Sequence, residues 1–203
     1  MRLYYIHDPM CSWCWAFCPV WQELKKQLPT AMAVSYVLGG LAPDSSSPMP
    51  LGLQRQIQQH WHTIQKRVPG TMFNFEFWQE NTPRRSTYPA CRAVIAAKYQ
   101  GAGYEDAMIL AIQYAYYLQA QNPSDDDVLL ACASSLDLDM QRFELDMHSS
   151  ECKQQLMSDI RLSQNLGAEG FPSLVLDVDG ECHSIAVDYS YADVMLEKIN
   201  AVM

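Results

Sequence analysis

Apolar and polar positions along the chain change period twice. Leu3-Tyr4-Tyr5-Ile6 is a short unbroken apolar run and predicts a buried strand. From Ser12 to Leu28 the period is helical: Phe17, Val20, Trp21, Leu24 and Leu28 form one apolar stripe, and Pro29 stops it. Pro19 lies inside this segment and predicts a kink. Met32 to Leu38 is the next strand, closed by Gly39-Gly40. A parallel return after one helix makes a βαβ unit.

A Pro- and Ser-rich loop, Ala42 to Pro50, marks where the pattern turns fully helical. Leu53, Ile57, Trp61, Ile64 and Val68 keep helical spacing up to Pro69-Gly70. Phe73, Phe75 and Phe77 alternate in a way that suits either a strand or a packed loop. Helices are then expected from Ser86 to Tyr99 and from Tyr104 to Gln119. Ser124 and Asp127, spaced as a capping box, predict another helix to about Ser135. Met140 to Met147 and Cys152 to Leu166 give two more, the last ended by Gly167. The period then returns to strands. Ser173 to Val178 and Glu181 to Val187 flank Asp179-Gly180, a hairpin turn signal. Ser190 is expected to cap a final helix to about Val202.

Composition narrows the function classes. The 203 residues are 49% hydrophobic and 18% charged, enough apolar material for a sizeable core. Fourteen Lys and Arg against 23 Asp and Glu give a net charge of −9, which argues against nucleic acid or an anionic membrane as partner. No apolar run approaches membrane-spanning length, and the N-terminus reads without a secretory signal. Seven cysteines, an odd number without framework spacing, suit a reducing cytoplasm.

The chemistry concentrates in Asp8-Pro9-Met10-Cys11-Ser12-Trp13-Cys14-Trp15. Cys11 falls at the predicted helix start, where unpaired N–H groups and the helix dipole favour negative charge. That position lowers a thiol pKa and enlarges the thiolate fraction. Cys14, one turn on, is placed to resolve a mixed disulfide on Cys11. Against this stands a structural metal site, since His7, Cys11, Cys14 and Cys18 give H-x3-C-x2-C-x3-C; four ligands would have to converge tetrahedrally, and the redox reading, with no metal, is preferred. Cys18, Cys91, Cys132, Cys152 and Cys182 read as small core residues. Trp13 reads either as a docking surface or as a cover for the site. His60 and His62 face different sides of one helix and make poor joint ligands. Asp125-Asp126-Asp127 suits a helix first turn, and Tyr114, Tyr116 and Tyr117 read as core that could line a cleft.

Cys11-Ser12-Trp13-Cys14, Pro19 five residues on, and Gly170-Phe171-Pro172-Ser173 before the hairpin together resemble the DsbA family of thiol–disulfide oxidoreductases. The order of elements matches from Leu3 to Met203. The resemblance implies an α/β, thioredoxin-like fold carrying a large all-helical insertion: residues 1–41 and 168–203 as a discontinuous thioredoxin-like domain, and 42–167 as the insertion domain. Thr82-Pro83, Pro89 and the long helical run are similar to the branch holding FrnE-type oxidoreductases and hydroxychromene-carboxylate isomerases, which borders the kappa-class glutathione transferases. It implies a cis Phe171–Pro172 bond facing Cys11 and Cys14, and substrate binding at Ser12, Trp13, Phe171 and Pro172, with the Phe171 backbone bonding an extended substrate. Tyr5 stands where many relatives carry a buried acid, six residues before the nucleophile, leaving His7 and Asp8, read as loop residues, as the nearest proton acceptors for Cys14.

Three functions follow. The first is a cytoplasmic oxidoreductase acting on protein or low-molecular-weight thiols and disulfides, with the Cys11–Cys14 disulfide as its redox centre, no bound cofactor, and glutathione as a conceivable co-substrate. The second is a glutathione-dependent transferase or isomerase; such relatives tend to carry Ser at the nucleophile position, so the intact pair favours the first. The third is a non-catalytic metal-binding module.

Overall fold

A computed structural model describes all 203 residues. Four strands form one sheet in the order β2-β1-β3-β4. β1 (Arg2–His7) pairs in parallel with β2 (Ala33–Leu38), placing Tyr5 beside Tyr36 and His7 beside Leu38. On its other edge β1 runs antiparallel to β3 (Ser173–Val178), which turns back into β4 (Glu181–Ile185). Asp179 and Gly180 both adopt positive φ, +53° and +93°, the backbone that a two-residue hairpin turn requires.

Strand alternation divides the sheet's two faces. Leu3 and Tyr5 point to one side with Leu174 and Leu176, against Phe17, Trp21 and Leu24 of α1 (Ser12–Gln27) and Met195 and Ile199 of α9 (Ala192–Val202). Ile6, Val37 and Val175 point to the other side, against Leu162 and Leu166 at the end of α8 (Ser150–Asn165).

The helices between β2 and β3 are α2 (Leu51–Arg67), α3 (Phe77–Glu80), α4 (Tyr88–Tyr99), α5 (Gly103–Tyr117), α6 (Asp126–Ser134), α7 (Met140–His148) and α8. α4 is buried at every position from Pro89 to Ala97, so small Ala residues let its neighbours approach from all sides. The Phe73–Phe77 stretch is a packed loop entering α3. Its rings close around the buried Trp61 of α2, with Phe73 stacked at 4.8 Å.

Three expectations are corrected. Ser124 does not cap α6: its hydroxyl donates to the Ser86 carbonyl at 2.7 Å, and Asp125 takes the cap position without accepting from a helix amide. Ser190 does not cap α9 either. Asp188 accepts from the Ser190 and Tyr191 amides at 2.8 Å, turning the chain so that Tyr191 precedes the helix. Cys182 is exposed on the edge strand and Cys18 is half-buried; neither is a core residue. No helix is long and apolar enough to cross a membrane.

Candidate active site

Asp8 makes the turn that delivers Cys11. The Asp8 side chain accepts from the Met10 amide at 2.8 Å, and the Asp8 carbonyl accepts from the Cys11 amide at 3.0 Å. Asp followed by Pro signals such a turn. Cys11 therefore arrives in extended conformation as the N-cap of α1, and its carbonyl accepts the first helical bond from Trp15 at 3.0 Å. It is 8% exposed, whereas Cys14, on the inner side of the first turn, is 0% exposed.

That asymmetry separates the two thiols chemically. The Cys14 thiol donates to the Cys11 sulfur, and the Cys14 and Trp13 amides also hydrogen-bond it. Together these hold the Cys11 pKa below the ordinary thiol range, against burial and the negative charge of Asp8. Burial above all, and then the hydrogen bond and charge of Cys11, push Cys14 well up. Both cysteines are free thiols here. The pair thus has one thiol at the cleft whose ionisation is favoured and one sheltered thiol whose ionisation is opposed.

The Cys11 thiol also donates to the Phe171 carbonyl at 3.5 Å. The Phe171–Pro172 peptide bond is cis, and Pro172 leads directly into Ser173 at the start of β3. Phe171 lies across Gly39, where an added Cβ would stand 2.0 Å from the ring. Trp13 is half-buried and meets Tyr189 edge-on at 5.2 Å, which makes it a cover for the α1–α9 side as well as a wall of the site.

A cleft of about 510 Å³ opens beside the sulfur. Cys11, Ser12, Trp13 and Phe171 line it together with Ile57, His60 and Trp61 of α2 and Arg84 and Arg85 before α4. Tyr116 reaches this cleft, Tyr117 is core, and Tyr114 is 43% exposed. Arg84 is tied to Asp125 and to the Ser124 carbonyl. Arg85 faces the cleft half-buried.

His7 and Asp8 are not loop residues on the surface. His7 closes β1, fully buried, stacked on Tyr5 at 5.0 Å with both ring nitrogens unpartnered. Burial lowers its pKa to about 3, so it stays neutral. Asp8 is also fully buried. Its second oxygen accepts from the Leu41 amide at 2.7 Å, the Thr87 hydroxyl at 2.6 Å and the Cys91 thiol at 3.6 Å. Nothing in the sequence placed Thr87 or Leu41 beside Asp8. Cys18 points away from the pair, into the small space bounded by Tyr5, Tyr36, Asp106 and Gln113. His7, Cys11, Cys14 and Cys18 therefore do not converge, and no group of three or more His, Cys, Asp or Glu is arranged to hold a metal ion.

The thioredoxin family model matches residues 4–194. Among solved structures, a candidate protein disulfide isomerase from Nitrosomonas europaea superposes with a TM-score of 0.88 at 28% identity, covering 98% of this chain and 96% of that one. The cytosolic disulfide reductase DsbM from Pseudomonas aeruginosa, also solved with GSH, superposes at 0.81 with 24% identity over the full length of both chains. Among curated proteins, the ClpXP adapter protein SpxH of Halalkalibacterium halodurans is 26% identical over 198 residues. That match takes in 94% of this chain but 64% of SpxH, so the chain spans a little under two thirds of that relative's length.

Proposed function

Because the chain belongs to the thioredoxin family, we propose that it is a DsbA-like thiol–disulfide oxidoreductase working through Cys11 and Cys14. The observation that carries this reading is the Cys11 sulfur: it lies at the N-cap of α1, accepts from Cys14, and stands against the Phe171 carbonyl at the wall of an open cleft.

In the reducing direction the Cys11 thiolate attacks one sulfur of a substrate disulfide. A mixed disulfide forms on Cys11, and the other substrate sulfur leaves as a thiolate. Cys14, losing its proton, then attacks the Cys11 sulfur and releases the second substrate thiol. Two electrons pass to the substrate, and Cys11–Cys14 becomes a disulfide. On this reading Ser12, Trp13, Phe171 and Pro172 form the substrate-binding rim, and residues 42–167 act as an insertion domain that walls the cleft on a frame made of 1–41 and 168–203. The cysteine usage and the likeness to a cytosolic reductase support a cytoplasmic setting.

Glutathione is proposed as a small co-substrate, supported by the cleft volume, by Arg85 facing it, and by the GSH complex of DsbM. The test is turnover of a protein disulfide together with the equilibrium of Cys11–Cys14 in glutathione buffers. Absence of turnover with either a protein or a glutathione disulfide overturns the enzyme reading. A second reading, an adaptor that binds a protein partner without turning over disulfides, is favoured by the name of the SpxH relatives. It predicts that the Cys11→Ser/Cys14→Ser double variant keeps full partner binding.

A further inference from the structure

Asp8 is a carboxylate with no exposed surface in a chain that had no need to bury one for turn formation alone. An Asx turn satisfies only Oδ1, through the Met10 amide at 2.8 Å. The second oxygen gathers three further donors from two distant segments: Leu41 after β2, and Thr87 and Cys91 at the start of α4. Thr87 in turn accepts from the Ala42 amide at 3.1 Å, so the loop leaving β2 and the head of α4 are pinned together by this one group. The two amides among the donors can only donate, which fits an ionised acceptor.

No cation bonds Asp8. Arg92, on the next turn of α4 from Thr87, is held by Asp44 at 2.9 Å on both arms. Arg85, Tyr88, Tyr116 and Tyr117 are other polar groups on that side, and Tyr5 and His7 lie on β1 before it. What faces Asp8 across the turn is the dithiol itself: the Asp8 carbonyl accepts from the Cys11 amide at 3.0 Å, and the Asp8 negative charge opposes ionisation of Cys11 and Cys14.

We propose that Asp8 is the positioning residue of the dithiol, holding three segments together behind Cys11 while its buried negative charge poises the pair as a reductant. The physical reason is that a dithiol becomes a strong oxidant when its reduced, thiolate-bearing form is stabilised. A fixed negative charge beside the sulfurs works in the opposite sense; burial raises the Asp8 pKa, and the hydrogen bonds it receives act against that rise. The inference rests on the oxidoreductase reading, and deepens it by assigning the direction of electron flow.

The experiment is the Cys11–Cys14 equilibrium in glutathione buffers, with Cys11 alkylation rates against pH, for the wild type, Asp8→Asn and Thr87→Val. Asp8→Asn removes the charge in nearly the same shape. It should shift the equilibrium about tenfold toward the reduced dithiol, about 30 mV, and move the Cys11 titration to lower pH. Thr87→Val leaves the charge but strips one donor from it. It should move both readouts the other way, about twofold to threefold. A purely structural role would move both variants in one direction, so a shared direction overturns the proposal, as does an Asp8→Asn equilibrium within twofold of wild type. If Asp8→Asn fails to fold, Thr87→Val decides alone: an unchanged equilibrium, or a shift toward the oxidant, overturns it. A wild-type chain with a normal equilibrium but no disulfide turnover would instead count against the oxidoreductase reading.

Discussion

The Cys11 thiol stands 3.5 Å from the Phe171 carbonyl oxygen although 160 positions separate them in the chain. An extended substrate bonded to the Phe171 backbone would therefore present its sulfur beside Cys11. Cys11→Ser should reduce turnover of a generic protein disulfide to background. In the wild type, alkylation of Cys11 should rise through a titration below the free-thiol value of about 8.5, because the lowered pKa leaves thiolate present above it and loses it as pH falls. Wild-type turnover in the variant, or an inflection above that value, would remove Cys11 as the nucleophile.

Cys14→Ala should leave the attack intact and remove the second step. Mixed disulfides on Cys11 should accumulate and be visible by mass spectrometry of the intact protein. Cys18→Ala should keep normal turnover, since Cys18 faces Tyr36 and Asp106 rather than the pair. A Cys18→Ala protein that folds but has lost turnover would bring back a three-thiol or metal mechanism.

How much of this was legible differs from residue to residue. The spacing of Leu3 to Ile6, the α1 stripe and the Asp179-Gly180 turn carry their periods locally, so the sheet and its flanking helices could be read. Ser124 and Ser190 follow the local rule for caps, yet each is overruled. Ser124 finds a buried carbonyl at Ser86, and Asp188 satisfies the turn before α9 first. The place of Cys11 at the start of α1 was readable, because the turn residues before it and the apolar stripe after it are local signals. The burial of Asp8 and His7 was not. It depends on which loops close over the end of β1, and the partners Leu41 and Thr87 lie far away in sequence. Tyr5 in the usual acid position hinted only that something differs beneath the dithiol.

His7 should make stability fall in acid. Its folded pKa of about 3 lies below the unfolded value of about 6.5, so the unfolded chain takes up the proton first as pH drops. The contribution is complete above about pH 6.5 and is lost toward pH 3, by up to about 1.4 kcal/mol per pH unit. His7→Phe, which keeps a ring between Tyr5 and Tyr36, should flatten the difference between urea midpoints at pH 7 and pH 5. An unchanged slope would mean that other groups carry the acid sensitivity.

Asp106 joins α5 to α1. It accepts from the Tyr36 hydroxyl at 2.6 Å and pairs with Lys25 at 2.8 Å, with Lys25 also bonding Tyr36 at 2.9 Å. The carboxylate is partly exposed, so the ion pair is screened, and most of the loss should come from the half-buried Tyr36 hydroxyl. Asp106→Asn should cost about 1–2 kcal/mol at pH 7, measured by chemical denaturation. Because those partners lower its pKa, the difference from wild type should shrink as pH falls through the carboxylate range. A cost independent of pH would point to packing alone.

Gly39 is glycine because of a neighbour rather than because of a turn. A Cβ there would fall 2.0 Å from the tip of the Phe171 ring, and Gly39 itself is fixed by the hydrogen bond its amide donates to the His7 carbonyl at 2.7 Å. The end of β2 and the residue facing the nucleophile are therefore sterically coupled. A larger residue at 39 is open to this fold only alongside a smaller one at 171; enlarging 39 alone would push the Phe171 ring away from its place beside Cys11.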